Sequence, residues 1–250
     1  MEERMAVPSP AERPVTGTPT GDPAGPGGPF SDPRALPILS TEHWSLLAGR
    51  SLVYNEAFSR AGMFLTFLSA SLIALGLMSG AMGFSTEFLT ITVLILALDL
   101  FIGLATMGRV STATDEDIRY LQGMNRIRHA YHEAVGGLEP YFISGQYDDV
   151  AGIFGVSSSD VEFRSRRSII HGFTTVVGMV GVINAALAGV LVATIVLLVG
   201  PGIAAVVAGV VTFVIAILFA IYWVTRATAS TVDALEVNFP SPASGDRPAR

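Results

Sequence analysis

The chain contains no cysteine and no lysine. Without cysteine, neither a disulfide nor a thiolate metal site is available. Without lysine, Arg carries all the basic charge. Charge of either sign is scarce, at 14% of 250 residues, and the formal net charge is −6. That balance argues against a nucleic-acid partner, which normally leaves a basic stripe. Two catalytic signatures are also missing: a Gly-rich phosphate loop followed by Lys, and a Ser-His-Asp hydrolase pattern. With no catalytic constellation and no cofactor motif, the expectation is a protein that is not an enzyme and carries no cofactor.

What the chain has in abundance is apolar sequence: half of its residues are hydrophobic. Four stretches, about 62–82, 88–107, 172–199 and 201–225, each reach the roughly 20 mostly apolar residues that a membrane span needs. The expected fold is therefore all-α: a polytopic membrane protein of four transmembrane helices with helical cytoplasmic extensions. Its parts divide as a Pro/Gly-rich disordered tail (1–36), a cytoplasmic helix plus the first transmembrane hairpin (37–107), a helical stalk and loop (108–171), the second hairpin (172–225) and a C-terminal tail (226–250). The N-terminal tail has no apolar h-region and does not read as a cleaved signal peptide. From Pro240 onward the C-terminal tail also reads as disordered.

Arginine placement sets the expected orientation. Arg50 and Arg60 precede the first span, Arg109, Arg119, Arg126, Arg128, Arg164, Arg166 and Arg167 lie between the second and third, and Arg226 follows the fourth. The two short turns, 83–87 and 200–202, hold no basic residue. The positive-inside rule then puts both termini and the central segment in the cytoplasm. Use of Arg alone fits the codon bias of a high-GC bacterium, so the expected location is a bacterial inner membrane. Arg164, Arg166 and Arg167 abut the third span and are expected to meet anionic lipid head groups, at about 1 kcal/mol each.

Helices run on beyond the lipid. Ser40 and Thr41 sit where an N-cap would, and Trp44, Leu47, Tyr54, Phe58 and Leu65 recur at steps of three and four into the first span. This predicts one continuous helix of about 40 residues, roughly 60 Å long. The second span runs on through Val110, Ile118, Met124 and Tyr131 to a stop at Gly136-Gly137. A cap at Ser158 or Ser159 is expected to begin a helix that leads into the third span. Small residues mark the packing faces: Gly62, Gly76 and Gly80 in the first span, Gly178, Gly181, Ala185 and Gly189 in the third, Gly209 in the fourth. Such seams let helix backbones approach closely in lipid, and they point to a compact bundle or a homo-oligomer.

One ionisable group lies deep in a span. Asp99 shares a stripe with Ser85, Thr92 and Thr106 at seven-residue steps, with Gly103 adjacent. An intramembrane carboxylate facing lipid costs several kcal/mol, so it should face inward. Asn184 and Ser69 or Ser71 lie at comparable depth and are the expected hydrogen-bond partners. Two readings stand: an ion- or proton-binding site, or a neutral acid holding two helices in register. A weaker candidate is His129-Ala-Tyr-His132-Glu133 on the stalk, where two imidazoles and a carboxylate fall within one helical turn and could ligate a divalent metal. His43 or Glu139 would have to complete such a site.

Two segments carry a resemblance. Thr41–Leu47 with Asn55-Glu56 and Ser59–Phe64, and Gly123–Tyr131, resemble stretches of uncharacterised four-span integral membrane proteins of high-GC bacteria; the similarity covers roughly 37–235 and implies no activity. The layout of cytoplasmic helices continuous with membrane hairpins is also similar to the two-span effector modules of bacterial defence systems. The expected function is an oligomeric scaffold or adaptor in the lipid bilayer, binding a cytoplasmic protein partner through its stalk. A small channel or transporter built on Asp99 is the alternative.

Overall fold

A computed structural model describes residues 28, 30–154 and 175–242. It is all-helical, with α1 (Ala35–Met82), α2 (Thr86–Ala134), a 3-10 turn (Glu139–Tyr141), the short α3 (Val150–Phe154), α4 (Val176–Val199) and α5 (Gly202–Asp233). The four long helices are each long and apolar enough to span a membrane, which agrees with the expected fold class.

The α1 helix is longer than expected. It begins at Ala35 with no side-chain cap from Arg34, so Ser40 and Thr41 lie inside it, and the Thr41 hydroxyl donates to the Pro37 carbonyl (2.9 Å). Pro37 fits here because the first turn has no use for its missing N–H. At 48 residues α1 spans about 72 Å, more than twice the ~30 Å of a bilayer core. The chain reverses at Gly83, whose φ of 59° favours glycine. Ser85 then caps α2 by accepting from the Phe88 N–H (3.3 Å). The α2 helix stops where expected: the Val135 N–H closes the last turn on Tyr131 (3.0 Å), and Gly137 follows with φ 82°.

These two long helices form one antiparallel hairpin over their whole length. Leu46 lies against Gly123, Gly49 against the Tyr120 ring and Phe64 against Gly103, while Arg50 reaches Asp117. The buried face of α1 is Val53, Ala57, Ala61, Phe64, Leu68 and Leu75. The aromatic stripe is not on it: Trp44, Leu47, Tyr54 and Phe58 are all exposed. The central element is α2, which packs on both α1 and α4, while α5 is held chiefly by α4. The core between them is Phe64, Leu68, Leu96, Met107, Val180 and Leu187.

Of the small-residue seams, those of α4 and α5 do pack. Ala185 is buried, and a Cβ on Gly181 would be in ordinary contact with Met107 and Ala220. The closest approach is Gly189 to Gly209, where a Cβ on either would come within 2.9 Å of the other's carbonyl oxygen. Gly178 serves as a capping partner, its N–H donating to Thr175 (3.1 Å). The α1 seam does not pack within the chain, because a Cβ on Gly62, Gly76 or Gly80 would meet nothing within 4 Å. The expected helix start at Ser158 or Ser159, and Arg164, Arg166 and Arg167, lie outside the described residues.

Candidate functional site

Within the apolar bundle the polar stripe of α2 does turn inward: Thr92, Asp99, Gly103 and Thr106 are buried. Asp99 is completely buried. Its Oδ1 accepts from the Ser71 hydroxyl (3.0 Å). Ser71 is thus the partner on α1. Ser69 is exposed and donates instead to Leu65 of its own helix (2.7 Å). Thr92 likewise turns back on its own helix, donating to Phe88 (2.8 Å).

Asn184 arrives from α4 one turn further along α2. Its amide lies against Gly103, with Oδ1 only 1.9 Å from where a Cβ at that position would sit. Glycine at 103 is therefore what admits the amide. The Asn184 Nδ2 donates a long contact to the Met107 sulfur (3.9 Å). At this site two buried oxygens, Asp99 Oδ2 and Asn184 Oδ1, have no hydrogen-bond partner among the described residues. Unmet acceptors in a dry interior are costly. Asp99 and Gly103, the residue that the Asn184 amide covers, are one helical turn apart on α2. The three helices α1, α2 and α4 all contribute to this site.

Beyond the apolar segments, the α1–α2 hairpin is closed by ion pairs. The Glu56 carboxylate accepts from Arg109 Nη2 (2.8 Å) and Arg60 Nε (2.9 Å), and Arg109 also reaches Glu116 (2.9 Å). The guanidinium of Arg109, then that of Arg60, hold the Glu56 carboxyl down to about 2. Arg50 pairs with Asp117, which also accepts from the Tyr54 hydroxyl (2.9 Å). Deeper in the stalk Arg128 is buried and donates to Asn125 (2.7 Å). Burial, then the nearby charge of Arg50, lowers its pKa.

The stalk histidines are not brought together as a ligand set. His129 Nε2 is 3.6 Å from Glu133, and His132 Nδ1 is 3.7 Å from Glu139, as two separate pairs. Among the described residues no group of three or more His, Asp or Glu is arranged to hold a metal. The rings pack instead: His129 stacks on Phe239 (4.1 Å between centroids) and His132 lies against Phe142 (4.9 Å). His43 lies tilted against Tyr131 (6.5 Å).

That Phe239 contact belongs to a feature the sequence did not announce. The segment after α5 folds back onto the end of α2 as a latch. Asp148, fully buried, accepts from Arg126 Nε (2.7 Å) and from the backbone N–H groups of Asn238 (3.0 Å) and Phe239 (2.7 Å). Gln122 donates to the Glu236 carbonyl (2.8 Å) and Asn125 to that of Tyr147 (2.7 Å). Asp149 takes both the N–H (2.9 Å) and the hydroxyl (2.6 Å) of Ser241. Burial pushes the Asp149 carboxyl up, but the hydrogen bonds from Ser241 and Gly152 together outweigh it and leave it lowered. The tail expected to be disordered from Pro240 is thus pinned as far as Ser241. A carboxylate accepting backbone N–H groups from a remote segment has no sequence signature, so spacing alone did not reveal it. No family model, curated protein or solved structure matches this chain.

Proposed function

We propose that this chain is a non-enzymatic integral protein of a bacterial inner membrane, with both termini and the stalk in the cytoplasm, and that it acts as an oligomeric scaffold whose α1 helix docks a protein partner. The observation that supports this is the aromatic stripe on the part of α1 that lies beyond the span. Trp44 is 66% exposed, Phe58 56% and Tyr54 42%, on a stretch where water rather than lipid would cover them. Large apolar side chains left together in water mark interaction surfaces, and Trp and Tyr are favoured anchors. A photo-crosslinking residue in place of Trp44, activated in living cells, should give an adduct of one discrete mass that disappears in the Tyr54→Ala, Phe58→Ala double variant. Absence of any protein adduct overturns the reading.

A second reading, a small channel or transporter, is favoured by the two unpaired oxygens at Asp99 and Asn184. Asp99→Asn separates the two. Asn keeps the shape and can still accept from Ser71, so a scaffold should be unaffected. A transporter should lose flux, or lose its pH dependence, in vesicles.

A further inference from the structure

The two unpartnered features of α1 lie on one face. In the extramembrane half, Trp44, Leu47, Ser51, Tyr54 and Phe58 follow one another at alternating steps of three and four; in the apolar half, Gly62, Thr66, Ser69, Ile73, Gly76 and Gly80 continue the same seam. At 3.6 residues per turn this face is rotated by about a third of a turn from the Val53–Leu75 face that packs on α2 and α4. Among the described residues little covers it: the aromatics are exposed, with only the Tyr54 hydroxyl tied to Asp117 of α2, and a Cβ on Gly62, Gly76 or Gly80 would enter open space.

We propose that a second copy of this chain covers it, α1 against α1 in parallel, along the whole length of the helix. The proposal rests on the scaffold reading above and names the partner at that surface. Charge carries the argument. A parallel homotypic contact sets every residue opposite its own copy, so any charge on the face would meet a like charge. The charged residues of α1 are Glu42, Arg50, Glu56 and Arg60, and none falls on this seam. Arg50, Glu56 and Arg60 are tied instead into ion pairs among themselves and with α2. An exposed helix face that crosses from lipid into water without one charge is suited to meeting itself.

Two further facts agree. Within each half the steps alternate between three and four, the 3.5-residue repeat that makes parallel helices coil left-handedly around each other, with successive steps of four where the halves join at 58, 62 and 66. The membrane supplies the register, since copies inserted with the same orientation have their lipid boundaries level. Side-chain size then follows the solvent. In lipid, where apolar burial drives nothing, the seam is small and includes a Gly-x-x-x-Gly step at 76–80, which lets backbones touch. In water, where apolar burial does drive association, the seam is aromatic.

Because the native chain has no cysteine, single-cysteine variants test this directly in membranes of the full chain. Under mild oxidation Ser51→Cys and Ser69→Cys, on the seam, should give disulfide-linked dimers. Ser45→Cys and Ala74→Cys, exposed but off the seam, should not. Adding Gly76→Leu with Gly80→Leu to the Ser69→Cys chain should abolish the dimer and leave thermal unfolding of the protomer unchanged, because a Cβ at either position enters open space among the described residues. No dimer at the seam positions, or equal dimer at all four, overturns the proposal. If Ser51→Cys gives no dimer while the crosslinker at Trp44 captures a protein of another mass, this proposal falls and the scaffold reading stands. If the crosslinker captures nothing, both fall.

Discussion

Gly103 shows how much one missing methyl group decides. A Cβ there would lie 1.9 Å from Asn184 Oδ1 and 2.9 Å from the tip of the Phe64 ring. Gly103→Ala must therefore expel the amide, and overpacking of this kind costs about 1–3 kcal/mol. A lowered unfolding temperature in nanodiscs is expected, with part of the loss recovered when Asn184→Ala is added; an unchanged temperature would contradict the geometry. The sequence made Asp99 and its stripe legible because a carboxylate in an apolar run stands out. It could not choose between Ser69 and Ser71, since two residues on a helix differ by more than half a turn and only the actual crossing of α1 over α2 decides which faces Asp99. It placed Gly103 beside the stripe without showing that an amide would need the space, and it did not single out Met107, an ordinary residue in a membrane helix.

Glu56 carries a prediction of its own. Its carboxyl is held at about 2 against an ordinary 4.5. A depressed carboxyl contributes stability that is complete above about 4.5 and is lost as pH falls through the lower value. The α1–α2 stalk should therefore loosen between these limits, seen as faster amide exchange around Glu56 and Arg109. Glu56→Gln should remove that acid transition and leave the stalk looser at neutral pH. An identical acid profile in wild type and variant would refute the assignment.

At the scale of elements, α5 leaves the largest share of its apolar surface exposed among the long helices. Most of its apolar side chains face outward, and its hold on α4 centres on the Gly189–Gly209 approach. Gly209→Leu should separate the two helices, shown by loss of a crosslink between cysteines placed at Gly181 and Ala220, whose Cβ positions lie 3.7 Å apart. The same change at Gly76 should leave that crosslink intact. Small-residue spacing in the sequence marked both seams equally, because spacing records that close packing is possible and not which neighbour takes it. Helix ends were legible where backbone chemistry forces them, as at Gly83 and Gly136-Gly137. The α1 start was misplaced by about one turn because Ser40 and Thr41 read as caps, whereas the helix begins before Pro37, which costs nothing in a first turn.

At the scale of the whole molecule, the latch ties the end of the chain to the α2 stalk. Asp148 receives its hydrogen bonds from Arg126, Asn238 and Phe239. Asp148→Ala leaves those donors unmet, and loss of a buried charged partner costs about 3 kcal/mol. Amide exchange of residues 236–241 should speed up about a hundredfold, with the apolar helices unchanged. Equal protection in the variant would mean that the segment is held some other way.

One consequence follows from α1 and α2 running unbroken from the polar tip of the stalk to the far turn. Each is one continuous helix throughout its described length. A tilt of about 10° about the bilayer centre sweeps the outer end of α1 through on the order of 10 Å. Any twist applied at Trp44 reaches Ser71 through the same rod, and Ser71 is the side chain that donates to Asp99. The end of the rod that bears Trp44 and the position that bears the donor to Asp99 therefore move as parts of one helix.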